Sequence, residues 1–157
     1  MNRKYVVEIF QRMIKEGLND LLWSCNTRTD RVDPELLAMM YDAGCRIVFY
    51  GIESGNQQSL DILKKKITVE LQEEAVQWTH EANLNVICSY MLCIPGETEE
   101  MVENTLKYAK RIGSSMALFY LPVPFPGSEL YQSCKESGGL RDTKNWNDFL
   151  SVDYDNP

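Results

Sequence analysis

Helix-like and strand-like segments alternate four times along this chain, and the connections between strands are too long for hairpins. Such a rhythm dictates parallel strands joined by right-handed crossovers. Three of the strand segments also end alike. Arg46-Ile47-Val48-Phe49-Tyr50 enters Gly51-Ile52-Glu53-Ser54-Gly55, Val86–Leu92 enters Cys93-Ile94-Pro95-Gly96-Glu97-Thr98, and Met116–Leu121 enters Pro122-Val123-Pro124-Phe125-Pro126-Gly127. The carboxyl ends of parallel strands are where α/β folds and barrels build their ligand sites. The expected architecture is α/β: a partial (half) TIM-type β/α barrel, roughly four parallel strands with helices on the outer side.

Local signals fix the elements. Tyr5, Ile9 and Met13, with Val6 and Phe10 beside them, make an amphipathic helix over 3–16 that Gly17 stops. Leu21–Cys25 reads as a short strand, followed by a polar loop over 26–31. Asp33 can cap and Pro34 fits the first turn of a helix running to Ala43. Beyond it the expected order is strand 46–51, a short helix over 58–64 and a helix over 69–82 that ends at Asn83. Strand 85–92 follows, then a helix over 98–112 capped by Thr98 and stopped by Gly113, strand 116–121, and a helix over 128–136 opened by Ser128. Residues 1–139 form the barrel portion, and 140–157 form an irregular tail that Trp146 and Phe149 dock on it.

Composition narrows the function classes. A length of 157 residues suits one domain, and a net charge of −7 argues against a chain that holds nucleic acid by phosphate contacts. No apolar stretch reaches the ~20 residues of a membrane span. The five cysteines are odd in number and widely spaced, which points to a reducing cytosol and a cytoplasmic location. No Cys-x2-Cys pair is present, so no metal ligands are assigned. His80 reads as a surface residue, and Cys88 and Cys93 as packing residues. Lys64-Lys65-Lys66 reads as a solvated helix end.

Glu53 is the first candidate for chemistry. A carboxylate just past a buried strand suits ribose hydroxyls or an α-ammonium, and it equally suits a brace to Arg28 or a helix cap. Arg28 can grip a ligand carboxylate in bidentate fashion, or pair with Glu53 or Asp30 and steady its loop. Glu97 and Thr98 read as caps of the helix that follows. Met91 can face a purine ring or pack in the core.

Four motifs, Trp23–Arg28 with Asp33, Gly51–Gly55, Pro95–Thr98 and Pro124–Ser128, resemble in order and interval strands three to six of the radical S-adenosylmethionine (SAM) barrel. The likeness is greatest to the group whose members often carry a cobalamin-binding domain. It implies a six-stranded partial barrel that binds SAM at its strand ends. A 4Fe-4S cluster then cleaves SAM reductively to a 5′-deoxyadenosyl radical for hydrogen abstraction or methyl transfer. By resemblance the cofactor-binding residues are Glu53 and Ser54 after the fourth strand, with Arg28. Met91 and Cys93 fall at the adenine side after the fifth strand, and Tyr120 after the sixth. Cys93 stands where the family pattern has glycine. The first two strands and the cluster-binding cysteine triad are absent from this sequence.

The expectation is therefore a carboxyl-terminal fragment of a radical SAM enzyme with no catalytic residues of its own. It would hold a weak, partial SAM site, with the cluster, and cobalamin where used, belonging to the intact parent. Its partner is the missing amino-terminal half of the barrel or another chain, and its substrate is a small molecule of unknown identity. The alternative is a non-catalytic half-barrel module that pairs, or homodimerises, through an open sheet edge.

Overall fold

A computed structural model describes residues 3–139. Two compact units divide the chain, 1–119 and 120–157. Four parallel strands run in the order β1-β2-β3-β4, the last ending at the unit boundary: β1 (Trp23–Thr27), β2 (Cys45–Glu53), β3 (Asn85–Met91) and β4 (Met116–Tyr120). Helices α1 (Arg3–Lys15), α2 (Pro34–Asp42), α3 (Gln57–Ile62), α4 (Val69–Glu81) and α5 (Glu99–Arg111) precede or connect them. The α/β half-barrel expectation holds.

Alternation within the strands decides which face is covered. Val48, Tyr50 and Ile52 of β2 and Val86, Cys88 and Tyr90 of β3 are buried against Leu37, Met40, Ala75, Val76 and Tyr108 from the helices. Ile47, Phe49, Gly51, Ile87, Ser89 and Met91 carry the opposite parity and stay half-buried on the open face, opposite the core. The Tyr50 hydroxyl reaches Thr79 Oγ1 at 2.8 Å, so the largest core side chain of β2 has its polar end satisfied.

Helix ends follow the expected chemistry. Asp33, Thr68 and Thr98 each accept the backbone N–H three residues on, and Asn83 takes φ 60° where α4 stops. The ends of the first two strands, one loop and one helix face differ from expectation. The first strand starts at Trp23 rather than Leu21, because Trp23 stacks on Phe10 at 5.4 Å and donates to the Ala43 carbonyl at 2.8 Å. Leu21 and Leu22 are left 64% and 67% exposed beside the β1 edge. The polar loop after it contains a 3-10 turn, Thr29–Arg31. β2 runs two residues past Gly51, through a bulge in which Gly51 pairs with Ser89 and Glu53 with Tyr90. On α1, Val6, Val7 and Phe10 face the core while Tyr5 and Ile9 point outward, so its apolar face is wider than the surface beneath it.

The second unit is described over 120–139. It holds α6 (Glu129–Glu136), opened by Ser128, whose hydroxyl accepts from Tyr131 N at 3.1 Å. The expected docking of the tail by Trp146 and Phe149 lies outside the described residues.

Candidate ligand site at the strand ends

The bulge at Ile52 decides where the Glu53 carboxylate goes. Ser54 N donates to Ile52 O at 2.9 Å, closing a three-residue turn with Glu53 at its centre and φ 66°. Such turns are rare and strained. The side chain folds back along the face opposite the core, into the space that Gly51 leaves by having no Cβ. A Cβ at residue 51 would lie 2.9 Å from Glu53 Oε1. There Glu53 Oε1 accepts from Lys65 Nζ at 2.7 Å, with the two side chains about a fifth exposed, at 18% and 22%.

Lys65 is a candidate site residue that sequence reading missed. It is not a solvated helix end. α3 closes at Leu63, and Lys64 and Lys66, at φ 54° each, reverse the chain so that Lys65 returns to the sheet face. The available signal was a lysine run with no helical period directly after a short helix.

Arg28 takes the bracing role among its alternatives. Its Nε and Nη2 donate to Asp30 at 2.8 and 3.1 Å, and Nη2 also donates to the Lys65 carbonyl at 3.0 Å. Hydrogen bonding from Arg28 holds the Asp30 carboxyl below its ordinary value. Arg28 therefore steadies the backbone of Lys65 and does not touch Glu53 itself.

Ser54 turns away from the open face. It is fully buried, its Oγ 2.9 Å from Thr105 Oγ1 on α5, and Asn56 Nδ2 joins them by donating to Thr105 Oγ1 at 3.0 Å and Met101 O at 2.7 Å. Gly55 lets α5 come this close, since a Cβ there would stand 2.4 Å from Tyr108 Cβ.

The turn after β3 follows Tyr90, the residue opposite Glu53. Met91 shares the open face with Ser89 and is half-buried. Cys93 is exposed, not packed, and holds φ 60°, a left-handed conformation that explains why glycine suits this position. Cys88, by contrast, is buried, and burial pushes its thiol up to about 11. Glu97 does not cap α5. Its Oε2 accepts from Ile94 N at 2.9 Å and its Oε1 from Ser59 Oγ on α3 at 2.6 Å, pinning the turn. Tyr120 is exposed and belongs to the second unit. His80 lies on the surface with Nε2 2.9 Å from Gly113 O.

A separate cavity of ≈ 210 Å³ lies beside α1, lined by Arg3, Asp30, Arg31 and Asp33 with Val6, Val32 and Leu36. Arg3 and Asp33 are already paired there, and neither Glu53 nor Lys65 lines it. Chemistry favours the strand ends, where opposite charges sit on the sheet face opposite the core. Among the described residues no cluster of ligating side chains could hold a metal ion, and no helix is long and apolar enough to cross a membrane.

The radical SAM superfamily model matches residues 1–109. The chain belongs to this superfamily. An uncharacterized methyltransferase of Pyrococcus horikoshii is 31% identical over 153 residues, covering 98% of this chain and 33% of the relative. The anaerobic magnesium-protoporphyrin IX monomethyl ester cyclase of Cereibacter sphaeroides is 30% identical over 94% of this chain and 24% of its own length. Among solved structures, the radical SAM methyltransferase TsrM from Kitasatospora setae, with cobalamin and a 4Fe-4S cluster bound, superposes with a TM-score of 0.75. It shares 19% identity over 88% of this chain and 29% of TsrM, a likeness of fold. This member of the radical SAM superfamily thus spans a third or less of the length of these relatives.

Proposed function

We propose that this chain supplies one wall of a SAM site in a radical SAM enzyme of the cobalamin-associated, methyl-transferring group. The observation that carries the reading is the Glu53–Lys65 pair on the open face. A methionine moiety is a zwitterion, and paired opposite charges offer a carboxylate to its ammonium and an ammonium to its carboxylate. The ribose hydroxyls are alternative partners for Glu53. Met91 and the Cys93 turn form the apolar side for the purine. Arg28 positions Lys65, and Ser54 acts from behind the site.

These residues fit SAM and do not fit the cluster. Cys45 and Cys88 are buried and Cys93 stands apart at a turn, so no step through iron and sulfur is assigned to them. When bound, SAM supplies the transferable groups of its sulfonium centre. The chain's own part is to bind and orient it. The cluster, cobalamin and the substrate are assigned to the remainder of a longer enzyme, acting in the cytoplasm. The β1 edge, with Leu21 and Leu22 exposed just before it, supports completion by a further strand, from the same protein or a second copy.

Titrating SAM into the 157-residue chain tests the reading. Saturable binding near ~1 mM is expected, since only one wall is present, with loss on Glu53→Gln and on Lys65→Met. Binding indifferent to both substitutions, or no binding at all, overturns it. Micromolar affinity lost in Glu53→Gln keeps the site but overturns the partial-pocket idea. Sedimentation checks the edge: a monomer at all concentrations removes self-pairing.

A further inference from the structure

We infer that Thr105 is a positioning residue for Glu53, acting through Ser54 and Asn56. The inference deepens the SAM reading and rests on it. Glu53 sits at the centre of a strained three-residue turn, φ 66°, and such conformations persist only where the surroundings over-determine them. The bond to Lys65 holds only the side-chain tip, and the ladder pairing with Tyr90 holds only the entry side of the turn. Its exit side is held by the next three residues, and all three converge on one hydroxyl.

Thr105 Oγ1 lies 2.9 Å from Ser54 Oγ, 3.0 Å from Asn56 Nδ2 and 3.4 Å from Gly55 N. Hydrogen-bond accounting sets the direction at Thr105 Oγ1. The two N–H donors fill the lone pairs of Thr105 Oγ1, which leaves its proton for Ser54 Oγ. Ser54 Oγ also accepts from Asn56 N at 3.1 Å. A helical threonine ordinarily donates to the carbonyl four residues back, here Met101 O. Asn56 Nδ2 donates to that carbonyl instead, at 2.7 Å. Thr105 is thereby turned outward to the Glu53 turn. Ser54 and Thr105 are fully buried, so no water replaces a lost partner without rearrangement.

The test uses the full chain labelled with ¹⁵N, as wild type, Thr105→Val, Thr105→Ser and Glu53→Gln, and as the double variant. Valine keeps the β-branched shape and removes the hydroxyl. Amide exchange at Gly55 and Asn56 should accelerate at least tenfold in Thr105→Val while amides of β3 hold, and Thr105→Ser should restore it. SAM affinity should fall at least tenfold in Thr105→Val, and adding Glu53→Gln should weaken it no further. A residue that merely stabilises the fold would give losses that add in full to those of Glu53→Gln. That result, or unchanged exchange at Gly55 and Asn56, overturns the inference. Should Thr105→Val fail to fold, Ser54→Ala removes the same link from the other side and is read by the same criteria. If wild type shows no saturable SAM binding, the ligand reading falls, and the exchange data alone decide whether Thr105 positions the turn.

Discussion

The two turns that flank the open face solve the same problem differently. Each follows a strand and holds a non-glycine residue in the left-handed region, Glu53 at φ 66° and Cys93 at φ 60°. Each is tied to a helix that belongs to the other. The β2 turn is bound to α5 through Thr105 and Met101, and the β3 turn to α3 through Glu97 and Ser59. The difference lies in what the strained residue does. Glu53 uses its geometry to lay a carboxylate over Gly51, whereas the Cys93 side chain is exposed and the turn's tie is made by Glu97. Strain that places a charged pair is kept with the pair; strain in a turn pinned by another residue is removable.

The largest effect should come from breaking the first turn's seat. Gly55→Ala places a methyl 2.4 Å from Tyr108 Cβ, and overpacking of this kind should cost about 3 kcal/mol in urea unfolding. Glu97→Ala comes next. It strands the buried Ser59 hydroxyl and the Ile94 N–H, for a loss of about 2 kcal/mol by the same measurement. Cys93→Gly should raise stability by about 1 kcal/mol, because glycine takes φ 60° without the Cβ penalty. Glu53→Gly relieves the same strain but forfeits the Lys65 pair, so it should gain less; an equal gain at both positions would erase the distinction drawn here.

The smallest effect concerns acid. Hydrogen bonds from Arg28 and from Arg3 hold the Asp30 and Asp33 carboxyls below their ordinary values. Groups depressed in the folded state stabilise it fully above their unfolded pKa, near about 4, and that contribution is lost as pH falls through the folded value. Both pairs are partly exposed, so Asp30→Asn should flatten the acid limb of the unfolding midpoint by less than about 1 kcal/mol.

The sequence carried the element order, the caps and the parallel topology because each rests on short-range signals. Asp33-Pro34, Thr68, Thr98 and Ser128 announce helix starts by chemistry that works within three residues. Glu53 was legible as the residue between two glycines after a strand. Its partner was not, since Lys65 arrives by two left-handed lysines that no periodicity marks. Ser54 read as part of the ligand motif, but the bulge at Ile52 sends its side chain into the core. Bulges change which face a residue meets without changing the composition that a reader sees. Glu97 read as a cap because caps are the common use of an acid at a helix start. Its actual partners are a backbone N–H before it and a serine far behind it.

The bond between Ser54 and Thr105 joins residues 51 apart in the chain. During synthesis β2 and its turn leave the ribosome well before α5, so the turn must wait for the hydroxyl that fixes it. Closing so long a loop is slow relative to forming the helices on either side. The Glu53 wall should therefore be among the last parts of the sheet to mature in refolding, after the β2–β3 core has formed.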